Sequence, residues 1–335
     1  MAPARPRVYV IGTGGSISRI GRTRTDYIDY TYKTGNYTIE ELLARIPEVN
    51  ELAEVRAEQF SNTGSADLGP ADWLLLARRV NAILSDDPEA AGVALTHGTA
   101  TLEETAYFLN LTVKHRKPVV ITGAMRPPTA ISTDTDLNIL DCVRVAASPA
   151  AAGKGVLAVM NNEIHAARDV AKTDSLRTHT MQSRALGQLG YADSDGQVLF
   201  YRSPVRAHTA DTEFDVNGIQ ALPSIDIVMA YAGADGRLIR ALVDSGAPGI
   251  VAAGLGSGGG PESWMKALDD AAKAGVAVMV ATQVGTGRIV RKQRYLDGGY
   301  IVADNLTPKK ARILLMLALG RTRDAAEIQR MALTY

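Results

Sequence analysis

Residues 92–113 read GVALTHGTATLEETAYFLNLTV. The stretch begins as an apolar run, Gly92 to Leu95, and passes without a break into Thr96, His97, Gly98 and Thr99. Thr101 and Glu104 have the spacing of a capping box, and Leu102, Ala106, Leu109 and Val113 fall on one helical face. A buried strand that turns directly into an amphipathic helix is the unit of an α/β protein with a mostly parallel sheet. The polar seam sits where open α/β sheets place their ligands. Ala100, in the middle of that seam, brings a side chain with no chemistry.

Working outward, similar apolar runs recur. RVYVIGT (7–13), PVVITGA (118–124) and GVLAVMNN (155–162) read as buried strands, as do SIDIVMAY (224–231), GIVAAGLG (249–256) and VAVMVATQVG (276–285). Helix signals lie between them. Thr38 and Glu41 form a second capping box before Leu42, Leu43 and Ile46, and Pro47 ends that pattern. Thr307 precedes Pro308 at a first helical position, and Gly320 closes that helix. The stretch 202–223, RSPVRAHTADTEFDVNGIQALP, is polar and shows neither period. It reads as a linker between a larger N-terminal α/β domain over 1–201 and a smaller C-terminal α/β domain over 224–335.

Bulk properties narrow the function. Lys plus Arg and Asp plus Glu both number 36, so the formal net charge is zero and offers no footprint for nucleic acid or an anionic membrane. No stretch approaches the roughly 20 apolar residues that span a bilayer. The single cysteine, Cys142, suits a reducing compartment, and MAPARPRVYVIGTGG lacks the apolar core of a signal peptide, so a cytoplasmic location is expected. Five scattered histidines and one cysteine give no metal-ligand spacing, and TGGS is neither a Walker A motif nor G-x-G-x-x-G. No metal or cofactor is expected.

The tails of the first three predicted strands carry the chemistry. They are Thr13-Gly14-Gly15-Ser16, Thr96-His97-Gly98-Thr99 and Thr122-Gly123-Ala124-Met125-Arg126-Pro127. His97 is either a hydrogen-bonded structural imidazole or a base. A hydroxyl nucleophile needs a base, and a lysine whose neutral form is favoured can supply it. Lys172, in the hydroxyl-rich Arg168-Asp169-Val170-Ala171-Lys172-Thr173, is the lysine so placed.

These segments, in this order, resemble the bacterial-type L-asparaginase/glutaminase amidohydrolases over essentially the whole chain. TGGSIS resembles the family's TGGTIA, which puts Ser16 at the place of the first nucleophilic threonine. THGTATLEETAYFLNLTV resembles HGTDTxEETAxFL, with Thr99 at the second catalytic threonine. VITGAMRPPTAISTD is similar to VGAMRPxTxxSxD and marks Ala124 as a substrate-side residue. RDVAKT resembles GRDVTKT, with Lys172 at the catalytic lysine. NTGSAD resembles the segment whose serine, here Ser65, binds the substrate carboxylate, and SPVRAHTADTEFDV is similar to TPxRKHTxDTxFDV. The resemblance implies homotetramers built as dimers of dimers, with each site lined by two subunits. It also implies a small-molecule amide substrate and an acyl-enzyme formed on Ser16. Thr99 and Lys172 would move protons, backbone N–H groups near Thr99 would hold the oxyanion, and Gly15 and Gly98 would be substrate-binding residues. Tyr27 and Tyr30, in RIGRTRTDYIDYTYKTGNY, are both candidates for the tyrosine that assists the nucleophile.

The chain departs from the family where that family grips an α-ammonium group. The aspartate of HGTDT is Ala100, and the glutamine after the carboxylate-binding serine is Ala66. The asparagine of the C-terminal glycine-rich loop is Ser257, and the glutamate beyond PTG falls at Arg294. A charge left unpaired in a shielded site costs several kcal/mol. The expected substrate therefore carries a carboxylate or acyl group but no free α-ammonium. Losing the aspartate also favours the neutral amine of Lys172. The alternatives are a genuine L-asparaginase with weaker binding or an engineered Asp-to-Ala site, and a non-catalytic ligand-binding homologue.

Overall fold

The computed structural model describes residues 5–31 and 35–335. The chain divides into two compact units, Met1–Gly218 and Ile219–Tyr335.

Among the described residues the first unit holds ten strands: β1 (Arg7–Gly14), β2 (Glu54–Thr63), β3 (Ala90–Thr96), β4 (Val119–Thr122), β5 (Val156–Met160), β6 (Glu163–Ala166), β7 (Ala171–Lys172), β8 (Met181–Gln182), β9 (Gly190–Ala192) and β10 (Val198–Phe200). Eight of them form one sheet in the order β10-β9-β6-β5-β4-β3-β1-β2, and β7 and β8 form a separate hairpin. The pairings among β1 to β5 are parallel, and those joining β6, β9 and β10 are antiparallel. Val8, Val10, Ala94 and Val120 face helix Thr135–Ala147 and share one core with Ile139 and Val143. Val93, Leu95, Val119 and Ile121 alternate with them and are buried too, so this part of the sheet is covered on both faces. Burial on both faces is why these strands read as continuous apolar runs.

β2 carries no such run. Its residues are mostly half-buried or exposed, because it pairs with β1 alone at the sheet edge, and its polar sequence hides it from a search for apolar segments. Helices Pro70–Asp86 and Leu102–Thr112 pack together through Trp73 and Phe108, whose ring centroids lie 5.6 Å apart. Most of the polar stretch 202–223 belongs to this first unit. Phe214 and Val216 are buried, Lys114 Nζ donates to the Thr212 carbonyl at 2.7 Å, and Arg78 donates to the Val216 carbonyl at 3.1 Å.

The second unit is a four-stranded parallel sheet, β11 (Ile225–Met229), β12 (Gly249–Gly254), β13 (Ala277–Thr282) and β14 (Ile301–Val302), paired in that order. Helix Pro308–Leu319 packs on β11, β12 and β13, and most of its residues are buried. Its N-cap is Thr307, whose hydroxyl accepts the Lys310 N–H. The Thr38–Glu41 capping box forms with both of its hydrogen bonds. The Thr101 box does not: that hydroxyl donates to the Ser65 carbonyl at 2.7 Å instead of capping its helix. Among the described residues no helix is long and apolar enough to cross a membrane.

Candidate active site

Register brings the three glycine-bearing tails together. β3 pairs with both β1 and β4, and Thr96 lies opposite Gly12 on one side and Thr122 on the other. The carboxyl ends of three neighbouring parallel strands are therefore level, as a ligand crevice requires. The Thr13 hydroxyl donates to the Thr96 carbonyl at 2.8 Å, and the His97 N–H donates to the Thr122 carbonyl at 2.8 Å. Gly14 and Gly15 both have positive φ, near +94° and +92°. A β-carbon on Gly15 would stand 2.2 Å from Gly98 Cα, and one on Gly98 would stand 2.7 Å from Ser65 Oγ. The paired glycines allow backbones to touch where side chains would hold them apart.

Immediately beyond this contact, Ser16 opens a short 3-10 turn and lies half-buried at a cleft. The Tyr30 hydroxyl donates to Ser16 Oγ at 3.3 Å. On the neighbouring tail, Lys172 Nζ donates to Thr99 Oγ1 at 2.7 Å, and the Thr99 hydroxyl donates to Met125 Sδ at 3.4 Å. Lys172 is presented by the β7–β8 hairpin, where it pairs with Met181. Asp174 shapes the hairpin tip by accepting the N–H groups of Leu176 and Arg177, which with the nearby Arg177 and Lys172 charges hold its carboxyl below the usual range. A carboxylate thus remains near Lys172 even though residue 100 is alanine. The cleft has a volume of about 290 Å³, and its wall includes Ser16, Tyr30, Thr99 and Lys172.

His97 belongs beneath the site. It is fully buried, its Nδ1 lies 2.8 Å from the Gly98 carbonyl, and its Nε2 lies 3.0 Å from the Thr105 hydroxyl. Burial pushes its pKa down to about 4, so the ring is neutral near pH 7. A neutral imidazole donating to the Gly98 carbonyl and accepting from Thr105 ties the glycine loop to helix Leu102–Thr112. This is the structural reading of the residue.

Family models match both units: "Asparaginase, N-terminal" over residues 7–206 and "Glutaminase/Asparaginase C-terminal domain" over residues 224–331. The chain belongs to the asparaginase family. It is an α/β amidohydrolase of that family, acting on amide carbon–nitrogen bonds. It is similar to the L-asparaginase 2 of Bacillus subtilis, at 42% identity over 97% of this chain and 85% of that protein. It is also similar to the glutaminase-asparaginase of Pseudomonas fluorescens, at 40% identity over 98% of this chain and 90% of that protein. A solved structure of a probable cytoplasmic L-asparaginase from Campylobacter jejuni matches with a TM-score of 0.95 at 38% identity, covering 99% of this chain and all of that one.

The remaining residues singled out from the asparaginase resemblance are distributed unevenly. Tyr27 and Tyr30 both line the cleft, but the Tyr27 hydroxyl is donated to the Ile131 carbonyl at 3.1 Å, and Tyr30 is the one that faces Ser16. Gly15, Gly98 and Ser65 are buried behind the cleft. Ala66 and Ala100 are exposed, next to the Ser65 and Thr101 that the 2.7 Å hydrogen bond joins. Ala124 is fully buried in the hydrophobic core and its side chain is absent from the cleft wall. Ser257 and Arg294 lie in the second unit. Ser257 is exposed, and the cation beside it is Lys292, whose Nζ is 2.5 Å from the serine hydroxyl. Arg294 pairs with Asp269 at 2.9 Å instead, because helix Gln293–Asp297 turns it toward helix Glu262–Lys273. Ile28, Met125, Arg126, Ser175 and Leu176 also line the cleft. Met125 and Arg126 stand in the third strand tail; Ser175 and Leu176 follow the RDVAKT segment closely, and adjacency was the one signal that marked them.

Proposed function

We propose that this asparaginase-family chain hydrolyses an amide through an ester on Ser16, and that its substrate carries a carboxylate but no free α-ammonium group. One observation carries this reading. The cleft that gathers Ser16, Tyr30, Thr99 and Lys172 has two basic side chains in its wall, Lys172 and Arg126, and no Asp or Glu among the described residues. An ammonium ion entering such a cleft would lose its hydration without gaining an anionic partner.

In the proposed reaction Ser16 Oγ bonds to the carbonyl carbon and gives up its proton. The carbon–nitrogen bond breaks, the nitrogen takes a proton and leaves as ammonia, and water then releases the acid from the ester. Lys172 and Thr99 pass the protons, and Tyr30 orients the nucleophile. Backbone N–H groups near Thr99 stabilise the oxyanion. Serine in place of threonine keeps the hydroxyl and loses a methyl that would restrict its rotamer. A homotetramer and a cytoplasmic location belong to the same proposal.

A second reading, L-asparagine hydrolysis, is favoured by the names of relatives near 40% identity, L-asparaginase 2 and glutaminase-asparaginase. Steady-state kinetics on succinamate, L-asparagine and L-glutamine separate the two. The first reading expects succinamate to have the largest kcat/KM. A kcat/KM for L-asparagine of roughly 10⁴ M⁻¹s⁻¹ or more, above that for succinamate, would establish the second.

A further inference from the structure

Tyr27 does not reach Ser16, yet it sits in the same segment as the tyrosine that does. Four contacts tie that segment to the loop 125–134. The Gly21 N–H donates to Thr129 Oγ1 at 2.8 Å, and the Ile131 N–H donates to the Arg24 carbonyl at 2.8 Å. The Tyr27 hydroxyl donates to the Ile131 carbonyl at 3.1 Å, and the Arg126 guanidinium lies 5.8 Å from the Tyr27 ring centroid. Ile131 is therefore gripped through both its backbone groups.

The loop that receives these contacts is itself fixed. The Asp134 carboxylate accepts the N–H groups of Met125 and Arg126 at 3.0 and 2.9 Å, the Thr135 hydroxyl donates to the Arg126 carbonyl at 3.0 Å, and Arg126 Nη1 donates to the Ser132 carbonyl at 2.7 Å. The loop's first residue, Met125, accepts the Thr99 hydroxyl. One hydrogen-bonded loop thus touches Thr99 at one end and anchors the segment bearing Tyr30 at the other.

We infer that Tyr27 is a positioning residue: through Ile131 it latches segment 21–30 to the loop 125–134 and so fixes the Tyr30 hydroxyl against Ser16. The inference rests on the reading of Ser16 as nucleophile and Tyr30 as its orienting group. Tyr27 is 39% exposed, so removing its hydroxyl opens no core. The lost neutral hydrogen bond shifts the latch equilibrium by about 2- to 10-fold.

The test uses the full chain and two readouts. The first is tryptic cleavage after the exposed Arg22 and Arg24, the latter with its carbonyl held by Ile131. The second is kcat on whichever amide the enzyme hydrolyses best. Tyr27→Phe is expected to speed cleavage about 2- to 10-fold and to lower kcat by a similar factor, with a smaller change in KM. In a Tyr30→Phe background it should still speed cleavage but cost no further kcat, because it acts through Tyr30. Thr129→Val, which removes the acceptor of the Gly21 N–H, should show the same pattern. Unchanged cleavage, unchanged kcat in the single variant, or a loss that multiplies with that of Tyr30→Phe overturns the latch. Cleavage requires no turnover, so it reports on the latch separately. A Ser16→Ala enzyme with full activity would instead remove the reading on which the latch's purpose depends.

Discussion

Lys172 Nζ and Thr99 Oγ1 lie 2.7 Å apart although 73 residues separate them in the chain. Thr99 is set by the end of a buried parallel strand, and Lys172 by a two-residue strand in a hairpin outside the main sheet. Under the proposed chemistry this contact is the proton path. Lys172→Met is expected to lower kcat by roughly 100- to 10,000-fold while the far-ultraviolet circular dichroism stays that of the parent. Lys172→Arg should be nearly as inactive, since a guanidinium keeps its proton. A Met variant within a few-fold of the parent would remove Lys172 from the mechanism.

The contact of Gly15 with Gly98 makes a prediction about stability. Gly15→Ala would combine a positive φ with a β-carbon 2.2 Å from Gly98 Cα, in backbone that has no flexible side chain to yield. The change should cost about 2 kcal/mol or more, lower Tm by several degrees and abolish turnover. Thermal unfolding followed by calorimetry checks it. A Tm within one degree of the parent would show that the loops relax freely.

His97 supplies a pH dependence with a definite sign. Its folded pKa, about 4, lies below its ordinary value of 6.5 because burial disfavours the charged ring. The unfolded chain therefore binds the proton more readily, and the stability held by the neutral ring is complete above pH 6.5 and lost as pH falls toward 4. The loss amounts to about 3 kcal/mol. Asp141 opposes it: burial raises its pKa to about 6, so acidification through that region favours the folded state. The clean measurement is the difference between parent and His97→Asn in denaturant midpoint from pH 7.5 to 4.5. That difference should shrink steadily as pH falls. A pH-independent difference would mean that the ring titrates alike in the folded and unfolded protein, as a solvated imidazole does.

Restoring a carboxylate tests the substrate reading directly. Ala100→Asp, alone or with Ala66→Gln, should raise kcat/KM for L-asparagine by about 10-fold or more, since one charge-assisted hydrogen bond is worth about 1.5–3 kcal/mol. It should lower kcat/KM for succinamate, which would meet a like charge. No gain on L-asparagine would show that recognition does not turn on residue 100.

Much of this protein is determined by its sequence. Strands buried on both faces must be continuously apolar, so β1, β3, β4, β5, β12 and β13 stand out in the one-dimensional record. Their glycine and hydroxyl tails follow from strand ends, and the resemblance of six segments assigns the family. The tertiary structure decided what short-range pattern does not carry. The edge strand β2 has no apolar signature because little of it is buried. Lys172 is picked out by its segment, but its contact with Thr99 exists only because the hairpin brings the two together. Tyr27 and Tyr30 are equivalent on paper, and only the docking of their segment on the loop 125–134 turns one hydroxyl to Ile131 and the other to Ser16. The burial of Ala124 in the core and the pairing of Arg294 with Asp269 are likewise invisible to a reading along the chain. Periodicity reports burial, a local property, whereas hydrogen-bond partners are chosen by atoms dozens of residues away.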